Sequence, residues 1–126
     1  MAKIAIIDDD PDIVEAVGTL LELKGHNVVS SSDIDSGYEL ISNEKPDIVI
    51  LDVMMQEPDD GFYLALKLRK NGFSMPIFML TSVAKATGLD FGAGGLVPVN
   101  EFLEKPIQSN VLIGMINDYL SFKGTL

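Results

Sequence analysis

Two runs, Ile4-Ala5-Ile6-Ile7 and Ile48-Val49-Ile50-Leu51, hold four consecutive apolar residues without one polar side chain. A strand with one face in water alternates apolar and polar residues. Apolarity at every position marks a strand covered on both faces, which belongs in a parallel sheet between two helical layers. Strands are expected over Lys3 to Ile7, Asn27 to Ser31, Asp47 to Leu51 and Pro76 to Leu80, each about five residues long with a β-branched or aromatic core. A short fifth strand is expected at Phe102-Leu103.

Between these runs the apolar residues recur with a period near 3.6. Ile13, Val14, Val17, Leu20 and Leu21 form one stripe, with Asp10 placed to cap it, Pro11 at the first helical position and Gly25 just past the end. Further helices are expected over Ser36 to Asn43, Gly61 to Lys70 and Ser109 to Phe122, the last turning Val111, Leu112, Met115, Ile116, Tyr119 and Leu120 inward. Strand and helix in strict alternation predict a right-handed, doubly wound α/β fold on a five-stranded parallel sheet. The fourth helical unit is the weak one. Ser82 to Asn100 contains four glycines and a proline, and each interior Gly costs a helix about 1 kcal/mol relative to Ala. A fourth helix there is expected to be short, frayed or absent.

With 126 residues, 47% of them hydrophobic, the chain fits one domain over 1–126 and is too short for two. It has no cysteine, so neither disulfides nor thiolate metal sites enter. The apolar start at Ile4 to Ile7 is far shorter than a signal or membrane segment, which leaves a soluble cytoplasmic protein as the expectation. A net charge of −10 disfavours direct contact with nucleic acid or anionic membrane and suits cations or basic partners.

In an open parallel sheet, ligands sit beyond the carboxyl ends of the strands. Asp8 and Asp9 follow the first strand, Asp52 the third, Thr81 and Ser82 the fourth, and Lys105 the fifth, so all are expected on one edge. Carboxylates crowded there raise one another's pKa unless a cation compensates. Oxygen-only ligands with no His or Cys nearby favour a hard ion, Mg²⁺ above all. Singly, each residue has a plain explanation: Asp10 as a cap, Asp8 and Asp9 as a solvated turn, Thr81 as a strand-end hydroxyl, Lys105 as a surface lysine. Their arrangement at successive strand ends does not.

Taken together, Ile-Ile-Asp-Asp-Asp-Pro at 6–11, Leu-Asp-Val-Met-Met at 51–55, Asp60-Gly61, Thr81-Ser82 and Phe-Leu-Glu-Lys-Pro at 102–106 resemble the response regulator receiver domain of two-component signalling. The likeness spans nearly the whole chain in the right order. It implies a flavodoxin-like strand order 2-1-3-4-5 with helices on both faces. It also implies that Asp52 accepts a phosphoryl group from a sensor histidine kinase or phosphotransfer protein. Mg²⁺ would be held by Asp8, Asp9, Asp52 and the backbone carbonyl of Met54, with Thr81 and Lys105 stabilising the phosphoryl group, Thr81 and Phe102 as switch residues, and a cis peptide between Lys105 and Pro106. Such a domain catalyses only its own phosphorylation and dephosphorylation, as a monomer or a phosphorylation-dependent dimer. Its output would be a protein partner.

Two stretches depart from the family pattern. Gln56 stands where the family usually has Pro, and Gly61 comes one position late, so the loop Gln56-Glu57-Pro58-Asp59-Asp60 holds one extra residue. The glycines of Val83 to Asn100 replace the usual fourth helix; their spacing matches no phosphate-binding loop. Leu126 falls just after the last helix, as in a stand-alone receiver, although a receiver cut from a longer protein reads the same way. Three alternatives share the architecture. A receiver-like binding module that is never phosphorylated is disfavoured because all five acid-site residues are present. A Mg²⁺-dependent phosphatase of the haloacid dehalogenase type needs an acid two residues after Asp52, where Met54 stands. An FMN binder wants donors after the first strand, where this chain has acids.

Overall fold

In the computed structural model, which describes residues 2–57, 60–82 and 99–124, five strands form one parallel sheet in the order β2-β1-β3-β4-β5. The strands are β1 (Lys3–Ile7), β2 (Asn27–Ser31), β3 (Ile48–Asp52), β4 (Ile77–Ser82) and β5 (Glu101–Lys105). The helices are α1 (Pro11–Leu23), α2 (Ile34–Glu44), α3 (Asp60–Lys70) and α4 (Ser109–Gly124). The crossover from β4 to β5 passes through 83–98, so the expectation of a weak helix there lies outside the described residues.

The apolar runs feed two separate cores. Ile4 and Ile6 of β1, with Ile48 and Ile50 of β3, face α1 and α4, where Val17, Leu21, Leu112 and Ile116 close the layer. Ala5, Ile7, Val49 and Leu51 face α2 and α3, against Ile41, Leu64 and Leu68. Because side chains alternate across a strand, a run must be apolar throughout to supply both layers. All of β1 after Lys3 and all of β3 is buried. The edge strand β2 is only half-buried, as its Asn-Val-Val-Ser-Ser sequence allows.

Helix α1 is built as its punctuation predicts. The Asp10 carboxylate accepts from Asp12 N (3.0 Å), Pro11 opens the first turn, and Gly25 takes a positive φ of 92° past the C-cap. Several details differ from the sequence expectations. Helix α2 begins two residues early, because Asp33 accepts from the Ser36 amide (2.8 Å) and so caps from before Ile34. Strand β5 runs over five residues, not two, held by its full register from Phe78↔Glu101 to Ser82↔Lys105. Val111, expected inward, is 39% exposed, and its neighbour Ile113 packs on the core instead. His26, for which the sequence suggests no role, has Nδ1 accepting from Ala2 N (3.2 Å).

The β4 and β5 starts are tied by a cluster the sequence does not announce. Asn100 N donates to Ile77 O (2.8 Å), and Asn100 Oδ1 accepts from Ile77 N (2.8 Å) and from the Arg69 guanidinium (3.1 Å). Arg69 also donates to the carbonyls of Phe73 and Met75, both at 2.9 Å. Register is thereby fixed at the far end of β5 from Lys105.

Candidate functional site

Parallel strands end on one edge, and the register sets how far each reaches. Ile7 pairs with Leu51, and Asp52 pairs with Leu80, so Asp8, Asp52 and Thr81 lie within one residue of a common level. Ser82 pairs with Lys105, which brings the last strand's lysine alongside. Asp8, Asp52 and Thr81 are buried at 1%, 4% and 2% exposure, whereas Asp9 is exposed. A cleft of about 550 Å³ lined by Asp8, Asp9, Pro11, Val14, Glu15 and Ser31 opens beside the acids.

Asp8, Asp9 and Asp52 each offer a carboxylate oxygen, and the three oxygens lie within 4.8 Å of one another. Among the described residues one ammonium reaches two of the three: Lys105 Nζ is 3.1 Å from Asp52 Oδ1 and 3.4 Å from Asp8 Oδ2. Asp8 Oδ1 accepts from the Asp10 amide at 2.9 Å, while Asp8 Oδ2 is buried with no hydrogen-bond partner. The run Asp8-Asp9-Asp10 therefore does two jobs that touch. Asp10 caps α1 with its side chain and holds Asp8 with its backbone.

The titrations follow from burial and charge count. Burial, and next the Asp8 charge, push the Asp52 carboxyl up to about 6 against the pull of Lys105, and Asp9 adds to the upward push. Asp8 is raised as well, by burial, with the Asp10 amide and Lys105 opposing. Burial works against the Lys105 ammonium, but Asp52 and Asp8 outweigh it and hold its pKa above the ordinary lysine value. Among the described residues, three carboxylates against one ammonium leave the edge two charges negative when all are ionised, an imbalance that a divalent cation cancels.

The donor set fits Mg²⁺. Octahedral Mg²⁺ has bonds of about 2.1 Å, so opposite ligands stand about 4.2 Å apart, close to the spread of the three acid oxygens. The buried Asp8 Oδ2 makes no hydrogen bond and has only the 3.4 Å approach of Lys105 Nζ, so it offers a further acceptor to a cation.

The loop after Asp52 is held tightly to the sheet. Val53 N donates to Leu80 O (3.0 Å), and Gly61 N donates back to Val53 O (2.9 Å). A Cβ on Gly61 would lie 2.2 Å from Asp52 O and 2.7 Å from Val53 Cα, so only glycine permits α3 to start against the β3 end. Asp60, which the sequence reading left in the loop, is the first residue of α3 and 8% exposed. An acid directly before an apolar helical run is the signal that points to a place in the first turn. Phe102 is not an ordinary buried strand residue: it is 37% exposed, with its ring 6.4 Å from that of Phe62. The Lys105–Pro106 peptide bond is cis. Among the described residues, no helix is long and apolar enough to cross a membrane.

Comparison with known proteins meets this geometry. The model of the family described as response regulator receiver domain matches residues 4–117. The probable transcriptional regulator ycf27 of Guillardia theta is 35% identical over 113 residues, which is 86% of this chain and 43% of that protein. The alkaline phosphatase synthesis transcriptional regulatory protein PhoP of Bacillus subtilis (strain 168) is 33% identical over 108 residues, 82% of this chain and 42% of that protein. The chain thus spans less than half the length of these curated relatives. A response regulator receiver domain protein from Clostridium thermocellum has the same fold, with a TM-score of 0.85 at 25% identity over 99% of this chain and 98% of that one. The family match runs from β1 into α4 and so takes in every strand end that carries an acid, a hydroxyl or the lysine: the chain belongs to the response regulator receiver domain family.

Proposed function

We propose that Asp52 accepts a phosphoryl group from a phosphohistidine on a sensor kinase or phosphotransfer protein, and that the modified domain regulates a protein partner. The observation that carries this reading is the Asp52 carboxylate itself. It ends a buried strand, 3.1 Å from an ammonium and beside two further acids. Phosphoryl transfer asks little covalent work of a protein, chiefly an aligned nucleophile and positive charge around the equatorial oxygens. An Asp52 oxygen attacks phosphorus; the new P–O bond forms as the P–N bond breaks, and its electron pair leaves with the imidazole, which takes up a proton.

Mg²⁺ held by Asp8, Asp9, Asp52 and the Met54 carbonyl would supply charge at the non-bridging oxygens. Lys105 would move from bridging two carboxylates to pairing with the phosphoryl group, and Thr81 would donate its hydroxyl to a phosphoryl oxygen. The product replaces one negative charge at Asp52 with roughly two and adds strong acceptors. Drawing Thr81 toward them would change what β4 presents to Phe102, its β5 neighbour across Met79↔Phe102 and Thr81↔Glu104. With a phenyl ring at 102, that change is selected by packing and not by a hydroxyl bond.

Incubation with Mg²⁺ and acetyl phosphate should add one phosphoryl group by intact mass, and Asp52→Asn should abolish it. No adduct, or one that survives Asp52→Asn, would overturn the proposal; sustained hydrolysis of phosphate esters would point to a phosphatase.

A further inference from the structure

We infer that Asp60 is a positioning residue for the cation site, acting through the backbone of the lengthened β3–α3 loop. The inference rests on the function proposed above. Its Oδ2 accepts from the Glu57 amide at 2.9 Å, and its own amide donates to Glu57 O at 3.3 Å, so the two residues clasp each other in both directions. Glu57 O accepts a second bond, from Met55 N at 3.3 Å. The Asp60 carboxylate therefore holds Glu57, and Glu57 holds Met55.

What lies between the anchors is the point of interest. Residues 53 to 57 are fixed to the sheet at Val53, which bonds to Leu80 and Gly61, and at the other end through the Asp60 clasp. The Met54 carbonyl, the proposed backbone ligand, sits between those two attachments. Gly61 ties the clasp to the acid itself, because α3 begins in direct contact with the Asp52 carbonyl. The loop is one residue longer than the family pattern and has Gln56 where a stiff proline is usual, so it depends on a side-chain tether for its shape. Mg²⁺ demands near-ideal octahedral geometry and tolerates little displacement of a ligand. Groups that orient ligands without touching the metal typically change affinity by about 10- to 100-fold when removed.

The test compares Asp60→Ala with Asp60→Asn on the whole chain. Asn keeps an acceptor for the Glu57 amide and drops the charge; Ala drops both. Mg²⁺ affinity is read by titration calorimetry without any phosphodonor, with amide NMR spectra confirming that both variants are folded. Asp60→Ala should weaken Mg²⁺ by about tenfold or more and shift the amides of Met54 to Glu57, while Asp60→Asn should stay within about threefold of wild type. Equal affinity for wild type and Asp60→Ala would overturn the inference, and so would equal losses in both variants, which would mean charge and not tethering. If Asp60→Ala does not fold, Glu57→Pro, which deletes the donor amide and leaves Asp60 in place, must reproduce the loss. Failure of wild type to bind Mg²⁺ or to be phosphorylated would instead sink the function on which the inference stands.

Discussion

Asp52→Asn should stabilise the metal-free protein, and by more the higher the pH. Asparagine is close in shape to the protonated acid and can still accept from Lys105, so the variant resembles a permanently neutral Asp52. In the wild type the folded pKa is pushed up to about 6 from the ordinary aspartate value of 3.8. A carboxyl raised on folding favours the folded state most when it holds its proton, and that advantage is lost as pH rises through the folded value. Between the two limits a shift of this size amounts to about 3 kcal/mol, of which about 2 kcal/mol is lost between pH 4.5 and pH 8.

For a chain of this size about 1 kcal/mol moves the melting temperature by roughly 3 to 4 °C. The gap between Asp52→Asn and wild type should therefore widen by about 7 °C from pH 4.5 to pH 8, measured by circular dichroism in EDTA. Mg²⁺ at one hundred times its dissociation constant should then close most of that gap, since it adds about 2.7 kcal/mol to the form that binds it. A gap that stays constant with pH, or a wild type that gains on the variant toward pH 8, would refute the charge argument.

Lys105→Met removes an ammonium that touches both Asp8 and Asp52; it should cost about 1 to 3 kcal/mol at pH 8 in urea unfolding, and the cost should shrink as pH falls below about 6 and the acids take up protons. Gly61→Ala should destabilise by about 3 kcal/mol or more, since the clashing atoms are the backbone of Asp52 and Val53, which cannot swing aside. Gly114→Ala, on α4 with nothing within 4 Å of the added methyl, should stabilise by about 0.5 to 1 kcal/mol in the same assay.

Much of this was readable because burial on both faces leaves a strong mark. In β1 and β3 every position must be apolar, so the runs announce the strands, the sheet type and both cores at once. Once the sheet is parallel, topology alone brings Asp8, Asp52, Thr81 and Lys105 to one edge, which is why residues far apart in sequence could be grouped without a structure. Strand β5 was under-read because Glu101, Glu104 and Lys105 give an edge strand the composition of a loop. The start of α2 was missed because Ser30-Ser31-Ser32-Asp33 offers four competing caps, and only the backbone shows that Asp33 wins. Val111 stands about 100° around the helix from the buried Leu112 and so falls outside the core-facing stripe that its apolar side chain suggests. Asp60, Arg69 and Asn100 act on backbone groups whose whereabouts depend on tertiary closure, and no spacing rule encodes that.

The acids at the sheet edge are a cost to the fold and the source of its responsiveness. Burying Asp8 and Asp52 beside the Lys105 ammonium, with Asp9 close by, leaves negative charge that protons, cations or a lost carboxylate can relieve, so the occupancy of the site and the stability of the domain are one equilibrium. A phosphoryl group adds negative charge at the same place, so on the function proposed here it is stabilised by a bound cation. By reciprocity the phosphorylated form must then bind that cation more tightly, by the same factor. The clasp at Asp60 and the close approach at Gly61 matter in this light because they hold the β3–α3 loop against the edge where the charge resides. A loop held loosely would let the acids relax into solvent. On the function proposed here, the imbalance through which a phosphoryl group would act on the structure would then be lost.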